Sequence, residues 1–229
     1  MLSTKNVSTG GSGTTSKTLM PGNVVAKINS VTLEDFKFKP GSYHLVLHIE
    51  GQEIPAPFEG FFIDKDNPEK GRYKGQIGRV RTSEWAYSDG ETKSGIQVNR
   101  DADILKAVKN ICTTVGASKW FEAQDEKYAT IEEFVQAFSD EAPFKDKWLD
   151  FCLAAKEYTT KQGYTNYDLY LPKFAKGYVP YEMADTDSGK LINYDPTVHL
   201  KKVEAKTVDN FGDSDQPVVA KSISKDFDI

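Results

Sequence analysis

The stretch Tyr43–Ile49, YHLVLHI, decides the fold. Successive residues of a strand point to opposite sides, so Tyr43, Leu45, Leu47 and Ile49 fall on one face and His44, Val46 and His48 on the other. A period of two over this length argues for a strand with one side against a core. Toward the N-terminus, Asn23–Leu33 is also rich in strand formers, with Val24, Val25, Ile28 and Val31. Toward the C-terminus, Phe58–Ile63 and Gln76–Tyr87 are further strand candidates. The segment between them, DKDNPEKGRYKG (Asp64–Gly75), is a loop punctuated by Pro68, Gly71 and Gly75.

Beyond these strands the period changes. Ile104, Leu105, Val108, Ile111, Cys112 and Val115 share one helical face. Thr130-Ile-Glu-Glu133 reads as a capping box ahead of Phe134, Val135 and Phe138. Trp148, Phe151, Cys152 and Ala155 outline a third apolar helical face, placed after Pro143. Strand-like aromatic segments resume at Asn166–Leu171 and Lys173–Tyr181. The expectation is a mainly β (α+β) domain over residues 20–184 carrying a helical insertion at about 101–160. Residues 1–19, rich in Gly, Ser and Thr, read as a flexible arm, and residues 185–229 as a flexible acidic tail.

The 229 residues carry 29 Lys+Arg against 34 Asp+Glu, a formal net charge of -5. Divided along the chain, that sum conceals polarity. Lys70–Arg81 holds Lys70, Arg72, Lys74, Arg79 and Arg81 and no acid, while Glu122–Glu157 holds ten acids against four lysines. Tyr73, Trp85 and Tyr87 are interleaved with the basic run. An unbroken strand would show Tyr73, Arg79, Arg81, Trp85 and Tyr87 on one face, with Gly75 and Gly78 able to break that register. Cations for phosphates and flat rings for bases are the chemistry of single-strand nucleic acid binding. Lys173 and Lys176, among Tyr167, Tyr170, Phe174, Tyr178 and Tyr181, could extend the basic face. The tail ends in Asp226, Phe227, Asp228 and Ile229, an acid-flanked apolar tip suited to docking on a partner protein.

Catalytic and metal chemistry find no support in the residues. His44 and His48 share a strand face but stand some 13 Å apart at about 3.3 Å per residue, too far for one ion. Asp64-x-Asp66 opens like a calcium loop, yet Pro68 sits where a ligand belongs and no Gly falls at the sixth position. There is no phosphate-binding Gly-rich loop and no nucleophile elbow. The two cysteines, Cys112 and Cys152, sit in apolar patterns and read as buried free thiols. No apolar run approaches the roughly 20 residues of a membrane span. With no apolar leader after Met1, the expectation is a protein that is not secreted. The reading is therefore no enzyme, no cofactor and no metal.

The segments GFFIDKDNPEKGRYKGQIGRVRTSEWAY, NYDLYLPKFAKGYVPYE and the ending KDFDI together resemble single-stranded DNA-binding proteins of tailed bacteriophages. The resemblance is greatest to those of large Bacteroides phages of the crAss-like group. It implies an OB-fold-like five-stranded barrel with a helical insertion, coating DNA exposed during replication or recombination in the host cytoplasm. Arg72, Tyr73, Lys74, Arg79, Arg81, Trp85, Tyr87, Lys173 and Lys176 would then form the DNA-binding face. Asp226, Phe227, Asp228 and Ile229 would recruit replication or recombination proteins or compete for the DNA groove. The alternative is a phage structural or assembly protein without DNA affinity.

Overall fold

A computed structural model describes residues 19–51, 76–91, 95–159, 165–175 and 177–203. In chain order the elements are β1 (Gly22–Asp35), β2 (Tyr43–Gly51), β3 (Ile77–Arg81), β4 (Gly90–Glu91), β5 (Gln97–Val98), α1 (Arg100–Thr114), α2 (Ser118–Glu122) and α3 (Ile131–Glu141). There follow β6 (Trp148–Thr159), β7 (Thr165–Tyr170), β8 (Tyr181–Met183), α4 (Pro196–His199) and β9 (Leu200–Val203). The expected mainly β chain with inserted helices is what is observed.

Five strands close a ring. β1 pairs antiparallel with β2, β2 antiparallel with β3, β3 parallel with β7, β7 antiparallel with β6, and β6 antiparallel with β1. β1 can serve two neighbours because it is long and bent. Gly22–Lys27 pair with β6, Ala26–Asp35 pair with β2, and a register shift lies between Ile28 and Ser30. β4 and β5 form a separate two-stranded ribbon.

The alternation of β2 survives intact. Leu45, Leu47 and Ile49 point into the ring and are buried, joined by Val24, Ala26, Ile28, Val31, Val80, Leu153 and Leu169 from the other strands. Val46, on the outer side, is buried as well, flanked across the ladders by Thr32 and Arg81. Gly78 sits at a close approach: a Cβ there would lie 3.1 Å from Leu19 Cδ1 and 3.4 Å from Ile49 Cγ1, so a larger residue would press the Leu19 side chain aside.

The helices extend this core. Asn99 caps α1, its side chain accepting from Ala102 N at 2.8 Å. Ile104, Val108, Ile111, Cys112 and Val115 are buried as their spacing indicated, whereas Leu105 lies at the margin and is exposed. Thr130 caps α3 as expected, its Oγ1 accepting from Glu133 N at 3.2 Å, while the Glu133 carboxylate accepts at 3.1 Å from Ala129 N, one residue before the cap, rather than from Thr130 N. α3 lies against β1, where Val31 N, just past the register shift, donates to Ser139 Oγ at 3.0 Å. Phe138 packs edge-on against Phe144 with ring centroids 5.0 Å apart.

Four expectations require correction. Trp148–Ala155 is strand, not helix. Leu149, Phe151, Leu153 and Ala155 line the core, while Cys152 and Ala154 are buried on the other face. A strand buried on both sides loses the alternation that would mark it. The helical insertion therefore ends before Trp148. Gln76–Tyr87 is a strand only over Ile77–Arg81, with Tyr87 joining by an isolated bridge to Tyr43. Lys173–Tyr181 is not a continuous strand: Ala175 and Tyr178 form a tight bridge, and Tyr181 opens β8.

The last correction concerns residues 185–203, which belong to the fold. Asn23 anchors them from β1, donating through Nδ2 to Ile192 O at 2.9 Å and accepting at Oδ1 from Tyr194 N at 2.7 Å. β9 then pairs parallel with β6 at Ala155–Tyr158. Both edges of β6 are thereby used along its length: Leu149–Phe151 lie between β1 and β8, and Ala155–Tyr158 between β7 and β9. Phe58–Ile63 and residues 204–229 lie outside the described residues. Among the described residues no helix is long and apolar enough to cross a membrane.

Candidate nucleic-acid interface

The outer face of the ring over β2 and β3 is where the predicted site falls. Val80 and Gly78 point inward, so Arg79 and Arg81 project outward together, as their parity requires. Across the β2–β3 ladder Arg79 stands opposite His48 and Arg81 opposite Val46. Trp85 lies on the segment after β3 and is 52% exposed, its ring covering the Lys156 ammonium, whose Nζ is 4.6 Å from the ring centroid. Lys173 is exposed beyond the end of β7.

Tyr87 belongs elsewhere. It packs against the core, exchanges backbone hydrogen bonds with Tyr43, and its hydroxyl shares a 2.9 Å hydrogen bond with Thr82 Oγ1. Burial raises its phenol above the ordinary value. The chain leaves the ladder at Arg81, so the parity that would have shown Tyr87 beside Arg79 no longer applies. Arg72, Tyr73, Lys74, Lys176 and Asp226–Ile229 lie outside the described residues.

The cations on this face have carboxylate partners. Arg79 binds Glu34, with Nη2 2.6 and 2.5 Å from its two oxygens. Glu34 is in β1 and Arg79 in β3, so the pair spans β2. Arg81, only 13% exposed, binds Asp168 of β7 at 2.5 Å. Burial outweighs the attraction of Arg81, Lys156 and Arg79 and lifts the Asp168 carboxyl above the usual carboxylate range. Glu84 is gripped by Lys201 at 2.7 Å and by Lys156 at 3.5 Å. Burial pushes its carboxyl up, but the hydrogen bond from Lys201 and the two ammonium charges more than offset this and hold it low. Among the described residues of the basic run, Arg79 and Arg81 are therefore both charge-compensated.

His44 lies between β1 and β3 on the same face. Its desolvation, reinforced by Arg81, lowers its pKa to about 4, so the ring is neutral at physiological pH. His48 shares a 2.9 Å hydrogen bond with Thr32 Oγ1.

One feature of the face escaped the sequence reading. The β1–β2 connection, Phe36-Lys37-Phe38-Lys39, alternates rings and cations at the edge of the β2 surface. Phe38 is 60% exposed and meets Phe36 at 5.4 Å, while Phe36 stands edge-on to His44 at 5.3 Å. The loop is held in shape by Phe36 N to Ser42 O at 2.8 Å, Lys39 N to Phe36 O at 3.0 Å and Arg100 Nη1 to Gly41 O at 2.8 Å. The alternation FKFK before Pro40-Gly41 was the signal that could have found it. Among the described residues no group of three or more His, Cys, Asp or Glu side chains could hold a metal ion. Comparisons with protein-family models, with curated proteins and with solved structures found no match.

Proposed function

We propose that this chain binds single-stranded DNA without sequence preference and without catalysis, on an OB-fold barrel. The ring order β1-β2-β3-β7-β6, closed by a parallel β3–β7 pair and by β1 with β6, supports the OB reading, and the helices lie between its third and fourth strands. In that architecture the face of strands 2 and 3 and the adjoining loops take oligonucleotides. The observation that carries the proposal is the outward projection of Arg79 and Arg81 from β3 together with two exposed rings, Phe38 on the loop entering β2 and Trp85 on the segment leaving β3, both toward the end of the ladder where Val46 pairs with Arg81. Arginines track phosphates and rings stack bases, at about 1–3 kcal/mol per base. Together with the resemblance noted above, this supports a role in phage DNA replication or recombination, with the tail recruiting partner proteins.

The test is fluorescence anisotropy with a labelled oligo(dT) and the variants Trp85→Ala and Phe38→Ala. Each loses one stacking ring and should weaken binding by about five- to a hundredfold. Unchanged affinity in both variants refutes the assignment of this face. A second reading, an assembly module without DNA affinity, is favoured by one observation: Arg79, Arg81, Lys156 and Lys201 all have carboxylate partners. That reading predicts no binding at any salt concentration.

A further inference from the structure

The outer surface that carries Arg81 continues beyond β3. Val46, Arg81, Tyr170 and Ala154 are paired in turn across β2, β3, β7 and β6, so they form one transverse row. Their neighbours along the strands, Leu47, Val80, Leu169 and Ala155, fill the ring, which turns the row outward. At its far end Tyr170 and Ala154 form the floor of a groove of about 570 Å³, bounded by the segment after β7 and by residues 192–201. Adjacent strands lie about 4.8 Å apart, so this floor begins one strand from Arg81 and ends on the order of 10 Å from it. Trp85 joins the two regions. It follows Glu84, which lines the groove, and its ring lies over the ammonium of Lys156, on the same side of β6 as Ala154.

The groove has the chemistry of a nucleotide site. Leu171, Ile192 and Val198 give it apolar walls, and Tyr178, 52% exposed, supplies a ring on which a base can stack. Glu84 is held at 3.5 Å by Lys156 and at 2.7 Å by Lys201, two ammonium groups against one carboxylate, which leaves no net negative charge at that wall. Lys173, on the rim, has no carboxylate partner among the described residues, unlike Arg79 and Arg81, and is available to a phosphate. Continuity decides the occupant: a strand stacked on Trp85 has only the width of β7 to cross before its next nucleotides lie over the groove. We propose that single-stranded DNA lying over β2 and β3 continues past Trp85 into this groove, with a base against Tyr178 and a phosphate at Lys173. This rests on the nucleic-acid reading of the β2–β3 face and extends the path from two strands to four.

The experiment is fluorescence anisotropy of the full chain with two labelled thymidine oligomers, of about 4 and about 12 nucleotides, the shorter matching the smallest site of one OB-fold. Tyr178→Ala should weaken binding of the longer oligomer by about five- to a hundredfold, as loss of a stacking ring does, and leave the shorter unchanged. Lys173→Gln should flatten the logarithmic salt dependence of the longer oligomer by about 0.7 and leave that of the shorter as it is. Trp85→Ala should weaken both. Tyr178 and Lys173 are exposed, and circular dichroism should show the fold retained in each variant. If neither groove variant moves the longer oligomer while Trp85→Ala still weakens it, the groove is overturned and the β2–β3 face stands. Equal losses for the two lengths put Tyr178 within the short site and overturn the extended path. If neither oligomer binds at all, the reading of the β2–β3 face fails, and the groove assignment with it.

Discussion

Glu34→Gln isolates the role of Arg79. In the native chain the Arg79 guanidinium is held by Glu34 across β2, so a phosphate arriving at β3 must compete with an internal carboxylate. The pair is exposed, with 64% and 35% of the two side chains accessible, and pairs of this kind are worth about 0.2–1 kcal/mol. Replacing the carboxylate with an amide removes that competition and one negative charge. The gain in affinity for single-stranded DNA is then up to about fivefold, given tenfold per 1.4 kcal/mol. The logarithmic salt dependence should steepen by up to roughly 0.7, the contribution of one phosphate contact on a single strand. Arg79→Ala should move both quantities in the opposite direction. The assay is anisotropy with labelled oligo(dT) at three or more salt concentrations, alongside urea unfolding to show that stability shifts by no more than about 1 kcal/mol. If Glu34→Gln binds no tighter and its salt slope is unchanged, Arg79 does not meet phosphate and the placement of the DNA path over β2 and β3 is wrong.

Three further predictions rest on the fold. Gly78→Ala forces a Cβ to within 3.1 Å of Leu19 Cδ1 and 3.3 Å of Leu19 Cβ, and should destabilise the protein by about 1–3 kcal/mol in urea titration; a neutral effect would show that Leu19 is not fixed against β3. His44 has a folded pKa of about 4 against an ordinary 6.5, so its stability contribution is intact above pH 6.5 and is lost as pH falls from 6.5 toward 4. The full shift would correspond to about 3 kcal/mol, but the ring is only partly buried among Arg81, Glu34 and Lys156, and solvent screening reduces this to roughly 1–2 kcal/mol. His44→Gln should flatten the stability profile over that range, and an unchanged profile refutes the assignment. Finally, burial pushes both the Cys112 and Cys152 thiols up to about 12, so neither should react with Ellman's reagent until the protein unfolds; rapid reaction of either in the folded state contradicts its position in the core.

What could be read from the sequence was local. The alternation of Tyr43–Ile49 placed Leu45, Leu47 and Ile49 in the core, and the Thr130–Glu133 pattern gave the cap that starts α3. The outward projection of Arg79 and Arg81 followed from β3 parity. Patterns failed where burial is two-sided or where contacts are remote. β6 hides both faces, so its apolar residues fall at helical as well as strand spacings. Residues 185–203 look like a tail because they are small and polar, yet hydrogen bonds to Asn23, some 170 positions away, fix them to β1. The same holds for charge. A run of cations without acids says nothing of carboxylates arriving from other strands, and Glu34 and Asp168 are 45 and 87 positions from their arginine partners.

The most direct test of the central claim is a titration of intrinsic tryptophan fluorescence with unlabelled oligo(dT), performed at low and at high salt and repeated with duplex DNA. Trp85 is exposed at the edge of the β2–β3 face, whereas Trp120 and Trp148 are partly covered. Quenching by the single strand that is lost in Trp85→Phe, that weakens steeply with salt and that duplex does not reproduce is the predicted result. Absence of quenching at low salt, with no anisotropy change, would contradict the account.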